Sequence, residues 1–222
     1  MTQGGAMTQF HYLFFDLDGT LTDPKPGITG CVAYALDAFG IHVTDPDTLT
    51  CFIGPPLVDS FMEYYSLSRE QAEAACAKYR ERFSVTGLYE NQVYDGIETL
   101  LSDLKAAGYE LVLATSKPRI FAEKILRHFQ LSDYFGFISG SELDGTRNRK
   151  EEVIAHAIKE CRITDKSAVL MIGDRKHDIL GARENRIASL GVLFGYGDRA
   201  EHEAAGADYI VDSVETLRHF LL

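Results

Sequence analysis

Short, nearly continuous apolar runs recur along this chain, each followed by a stretch of helical periodicity, and that alternation leaves few architectures open. The runs fall at residues 11–15, 109–114, 135–139, 168–172 and 190–194, with a weaker one at 209–211. Runs that lack a polar alternate suit strands buried on both faces, as in a parallel sheet. Between them, Ile97, Leu100, Leu101 and Leu104 recur at helical spacing, with Gly108 placed to end that helix. Pro118 can open a second helix carrying Phe121, Ala122, Ile125, Leu126 and Phe129 on one face. Val153, Ile154, Ala157, Ile158 and Cys161 form a third stripe. The expected fold is α/β, a doubly wound and mostly parallel sheet of the Rossmann-like kind.

One stretch breaks the alternation. Residues 26–91 carry helical stripes and no convincing strand, including a Ser68-x-x-Gln71 capping box ahead of Ala72, Ala75, Cys76, Tyr79 and Phe83. This predicts a small helical domain at 26–91, inserted after the first strand into a core formed by 7–25 and 92–222. The leading MTQGGAMTQFHY carries a second methionine at Met7, and residues 1–6 are set aside as an appended or frayed tail.

The apolar runs end in polar residues of a particular kind. The first ends in Asp16 and Asp18, the second in Thr115, Ser116 and Lys117, and the fourth in Gly173, Asp174 and Asp178. Lys150 opens the helix before the fourth. In an open α/β sheet, ligands bind beyond the carboxyl ends of the strands, so these side chains should converge. Carboxylates gathered in that way repel one another, and a hard divalent cation such as Mg2+ compensates them. The net charge of -11 argues against a nucleic-acid partner, which needs a basic footprint, but not against a phosphate held by a metal and local cations. No apolar run reaches membrane-span length, so no membrane partner and a cytoplasmic location are expected. The four cysteines lack metal-ligand spacing and read as reduced thiols.

Taken together, Asp16-Leu17-Asp18-Gly19-Thr20, Thr115 closing a strand, Lys150, and Gly173-Asp174-Arg175-Lys176-His177-Asp178 resemble the four motifs of the haloacid dehalogenase-like phosphatases, in particular their phosphoglycolate phosphatase-like branch. The resemblance implies an enzyme that hydrolyses small phosphate monoesters, and it implies the role of each residue. Asp16 is the nucleophile and forms an aspartyl-phosphate. Asp18 is the general acid and base. Thr115 and the Ser116 amide hold phosphoryl oxygens, and Lys150 neutralises charge, with Lys117 as its rival. Asp16, Asp18 through its carbonyl, Asp174 and Asp178 serve the metal. It also makes the helical insertion a cap. The loop at 52–57, containing Gly54, would descend on the active site, with Arg82 and Tyr64 or Tyr65 as further substrate contacts.

Substrates implied are phosphoglycolate, a sugar phosphate or a nucleoside monophosphate, acted on by a monomer or homodimer. A sugar phosphomutase is the alternative, and a non-catalytic phosphate-binding module a more distant one. Gly195-Tyr196-Gly197-Asp198-Arg199-Ala200 formally matches a dinucleotide fingerprint, but it follows a late strand and reads better as a loop at the sheet's carboxyl edge.

Overall fold

The computed structural model describes residues 10–222. The expected tail at 1–6 and the first residues of the expected core, 7–9, lie outside them. Along the chain come β1 (Tyr12–Phe15), β2 (Thr22–Asp23), α1 (Lys25–Asp37), α2 (Leu57–Tyr65), α3 (Arg69–Arg82) and β3 (Gln92–Val93). Then follow α4 (Ile97–Ala106), β4 (Glu110–Pro118), α5 (Arg119–His128), β5 (Phe137–Ser141), α6 (Lys150–Glu160) and β6 (Val169–Gly173). The chain closes with α7 (Lys176–Asn185), β7 (Ala188–Val192), α8 (Arg199–Ala205), β8 (Tyr209–Val211) and α9 (Val214–Leu221).

The main sheet runs β5-β4-β1-β6-β7-β8, and every pairing in it is parallel. After β1 the chain builds outward through β4 and β5, then crosses to β6 on the other side. β1 and β6 therefore flank the crevice where the winding reverses, the place a ligand is expected. Alternate residues of the strands feed two cores. Leu13, Phe15, Leu113 and Ile172 pack with Ile97, Leu101 and Ile125 on one face. Phe14, Val112 and Met171 pack with Val153, Ile154 and Ala182 on the other. A two-faced sheet of this kind is the doubly wound fold that the apolar runs predicted.

The helical insertion leaves after β2 and returns at β3, and these two short strands pair antiparallel through Thr22↔Val93 and Asp23↔Gln92. Within it, Ser68 accepts from the Gln71 N–H at 3.2 Å while Gln71 accepts from the Ser68 N–H at 2.9 Å, the reciprocal cap the sequence signalled. A 3-10 turn at Pro46–Phe52 leads into the loop before α2, and a π turn at Phe83–Gly87 follows α3. Among the described residues, no helix is long and apolar enough to cross a membrane.

Candidate active site

Register delivers the acidic residues to one place. Phe15 pairs with Leu113 of β4 and with Ile172 of β6, so Asp16 emerges level with Gly173 at the carboxyl edge. The Asp16 N–H donates to the Ile172 carbonyl at 2.9 Å, holding the strand to its last residue. Gly19 then turns the chain at φ +82, a conformation a side chain resists, and a Cβ there would sit 2.0 Å from Asp174 Oδ2. On β4 the register shifts between Thr115 and Pro118, and this irregularity carries Ser116 and Lys117 over the sheet edge.

Asp16, Asp174 and Asp178 are buried, with carboxylate oxygens within 4.8 Å of one another. Lys150, at the first turn of α6, reaches between two of them. Its Nζ lies 2.9 Å from Asp16 Oδ1 and 2.7 Å from Asp178 Oδ1, and donates to the Ala114 carbonyl at 3.1 Å. Burial pushes the Lys150 pKa down, but Asp16 and Asp178 outweigh it and hold the ammonium firmly charged. Asp178 also accepts the Arg175 N–H at 3.1 Å, which caps α7. Among the described residues Asp174 has donors but no paired cation: the Tyr196 N–H at 2.8 Å and the Thr20 hydroxyl at 3.4 Å. Burial, then the charges of Asp178 and Asp16, raise its pKa well above the carboxylate range. Three buried carboxylates against one ammonium, all hard oxygen donors, fit a divalent cation of the magnesium type.

The Asp18 carboxylate stands apart from that trio. Its Oδ2 is 2.7 Å from Lys117 Nζ, its Oδ1 is buried without a hydrogen-bond partner, and the side chain faces the cavity. Burial raises the Asp18 pKa, opposed by the neighbouring Lys117 charge. Lys117 Nζ in turn lies 4.6 Å from the centre of the Phe83 ring, so a cation spans the gap between the sheet edge and the helical insertion. Thr115 is buried at the last regularly paired position of β4 before the register shift, its Oγ1 accepting the Lys117 N–H at 3.2 Å.

A cavity of about 580 Å³ opens outward from Asp18, Ser116 and Lys117. Gly54 and Pro55 from the loop before α2 form part of its wall, and Tyr79, Phe83 and Phe121 form an aromatic side. Tyr79 stacks on Phe83 at 5.1 Å, and Phe83 meets Phe121 edge-on at 5.4 Å. Ser116 and Gly54 thus stand where a substrate contact was expected. Arg82 does not: Glu90 takes its guanidinium through two bonds of 2.7 and 2.9 Å, and it does not line the cavity. Tyr64 and Tyr65 pack on Phe52 instead. The Asp18–Lys117 pair and the Phe83 wall carried no local signal in the sequence. The glycines at 195 and 197 did: a Cβ on Gly195 would lie 2.4 Å from Asp174 Cβ, so the supposed fingerprint is a loop pressed against the acidic trio.

Comparison with known proteins adds to this geometry. A family model described as haloacid dehalogenase-like hydrolase matches residues 13–192. The chain is 47% identical to a 5'-nucleotidase of Pseudomonas aeruginosa, with 97% of each chain covered. It is 28% identical to a phosphoglycolate phosphatase of Vibrio parahaemolyticus over 91% of this chain and 92% of that one. The crystal structure of a predicted phosphatase from Clostridium acetobutylicum superposes with a TM-score of 0.93 at 50% identity, covering 95% of this chain and 97% of the other.

Proposed function

The chain belongs to the haloacid dehalogenase-like hydrolase family and is a phosphatase, and on that premise we propose that it cleaves small phosphate monoesters with magnesium bound, through an aspartyl-phosphate on Asp16. The observation that carries the reading is the division of labour between the two aspartates of the first motif. Asp16 points into the acidic trio beside Lys150, while Asp18 faces the cavity where a leaving group would lie.

An Asp16 carboxylate oxygen attacks phosphorus, and the bond from phosphorus to the ester oxygen breaks as Asp18 gives that oxygen its proton. Asp18 then takes a proton from water, whose oxygen attacks phosphorus and returns Asp16 as a free carboxylate with release of inorganic phosphate. Lys150, 2.9 Å from Asp16, neutralises charge beside the attacking carboxylate, and Thr115 with the Ser116 N–H holds phosphoryl oxygens. Magnesium, held by Asp16, the Asp18 carbonyl, Asp174 and Asp178, would neutralise charge building on the phosphoryl group. Residues 26–91 act as the cap, with 7–25 and 92–222 as the catalytic core.

Among phosphate esters, a nucleoside 5'-monophosphate is the proposed substrate class. A cavity of about 580 Å³ with an aromatic side suits a base and ribose, whereas a two-carbon acid would leave most of it to water. The 5'-nucleotidase relative supports the same class. The free thiols of Cys31, Cys51, Cys76 and Cys161 support a reducing, cytoplasmic setting. Phosphate release from a panel of nucleotides, sugar phosphates and phosphoglycolate tests the proposal. Absence of magnesium-dependent release from every member would overturn it.

A further inference from the structure

One basic side chain beside the acidic trio is not used by the chemistry. Arg175 follows Asp174 directly, yet its guanidinium turns away from the carboxylates and does not line the cavity. Its Nη1 donates to the Ile53 carbonyl at 2.6 Å, while Nε and Nη2 hold the Glu201 carboxylate at 3.0 and 3.5 Å. Glu201 itself accepts the Lys176 N–H at 2.7 Å, which fixes the acid to the start of α7. The Arg175 side chain is only 12% exposed, so these bonds lie largely out of water.

The other partner belongs to the helical insertion. Ile53 is fully buried, and its carbonyl would otherwise lose water without gaining a donor. Gly54 follows at φ +102, and a Cβ there would come 3.0 Å from Arg175 Cγ. The loop therefore lies directly on the arginine stem. Phe52, Gly54, Pro55, Pro56 and Leu57 of this same loop wall the cavity. Across the cavity, Arg80 of α3 donates to the Leu143 carbonyl at 3.1 Å, so the insertion is tied to the sheet domain on both rims.

We infer that Arg175 is a positioning residue: it seats the loop at 52–57 over the cavity and so tightens binding of substrates large enough to touch that loop. The seat is referenced to the chemistry, because the Arg175 N–H bonds to Asp178 and its neighbour is Asp174. A planar fork serves the Glu201 carboxylate through two nitrogens and the Ile53 carbonyl through a third, in a fixed geometry that the flexible lysine ammonium does not reproduce. The substrate arm of this inference rests on the phosphatase reading.

The test uses the full chain as Arg175→Met, Arg175→Lys and Gly54→Ala, with two substrates and one structural readout. The substrates are a nucleoside 5'-monophosphate, which reaches the loop, and acetyl phosphate, which is too short to do so. The readout is amide hydrogen exchange in α2, next to the loop, with β4 as internal reference. In Arg175→Met, KM for the nucleotide should rise about tenfold, the scale of one lost charge-assisted hydrogen bond. Turnover of acetyl phosphate should stay at the wild-type level, and α2 should exchange faster while β4 does not change. Arg175→Lys should fall between, and Gly54→Ala, which presses on the arginine stem, should show the same exchange pattern. Equal losses on both substrates, or unchanged exchange in α2, would overturn the inference. If the wild-type protein releases phosphate from neither substrate, the nucleotide reading fails, and the exchange measurement still decides whether Arg175 seats the loop. Should Arg175→Met not fold, Arg175→Lys and Gly54→Ala carry the same decision.

Discussion

Lys117 Nζ lies 2.7 Å from Asp18 Oδ2, and both side chains are almost wholly buried. A second ammonium thus stands in the site, paired with Asp18 as Lys150 is paired with Asp16. Lys117→Met should lower kcat about a hundredfold, the range set by a disturbed general acid, while aspartyl-phosphate still forms. Steady-state rates with rapid-quench detection of the intermediate check this. A wild-type kcat would remove Lys117 from the machinery.

Lys150 is bound more deeply into the acidic cluster. Lys150→Met leaves Asp16 and Asp178 without their cation, and should cost about 3–5 kcal/mol of stability in metal-free protein. Urea denaturation in EDTA measures the loss, and added magnesium should recover part of it.

Asp16→Asn replaces the attacking carboxylate with a weakly nucleophilic amide and should abolish turnover while leaving the fold intact. Asp18→Asn should slow both half-reactions and let phosphoenzyme accumulate with an activated ester, whose leaving group needs no proton. Acid-quenched phosphate incorporation distinguishes the two. Wild-type breakdown of phosphoenzyme in Asp18→Asn would take the base role from that residue.

Magnesium should stabilise the fold by about 2.7 kcal/mol at about a hundred times its dissociation constant. The raised pKa of Asp174 sets the direction in its absence. The folded chain binds a proton there more readily than the unfolded one, so metal-free stability falls as pH rises past the ordinary carboxylate value of 3.8. Asp174→Asn should therefore raise the metal-free Tm and abolish its response to magnesium, as read by calorimetry.

A different group governs mild acid. His202 is fully buried, with Nε2 3.2 Å from the Val192 carbonyl and Nδ1 lacking a partner. Burial holds its pKa below the ordinary 6.5. An unfolded chain takes up a proton that the folded chain refuses, so in magnesium-bound protein, where the cation keeps the acidic trio ionised, stability should fall as pH drops below 6.5, by up to about 1.4 kcal/mol per unit. His156 and His177, also depressed by burial, add to the same limb. His202→Gln should flatten it in denaturation curves recorded between about pH 5 and pH 7.

The sheet could be read from the sequence because its central strands are apolar on both faces, and the strand ends pointed to Asp16, Thr115 and Asp174. Strand limits were less legible. β5 starts at Phe137, two residues later than expected, because Phe135 leaves the sheet to meet Phe15 edge-on at 6.4 Å. β7 starts at Ala188, two residues earlier, because Ser189 is satisfied by the Asp208 carboxylate at 2.9 and 3.0 Å. A polar residue bonded in this way interrupts an apolar run without interrupting the strand. Arg82 misled for a related reason. Its partner Glu90 lies across the π turn, and no periodicity relates the two. The Lys117 contacts with Asp18 and Phe83 depend on how two distant segments dock, which helical and strand patterns do not encode.

The narrow antiparallel ribbon of Thr22–Asp23 with Gln92–Val93 has a consequence for the history of such a chain. The insertion departs and returns at neighbouring positions, so exchanging it leaves the order of the main sheet untouched. On the reading proposed above, selectivity travels with the insertion, while Asp16, Asp174 and Asp178 stay behind in the sheet domain. A chimera carrying a relative's segment between Asp23 and Gln92 should inherit the donor's preference among phosphate esters while keeping the magnesium requirement proposed for this chain.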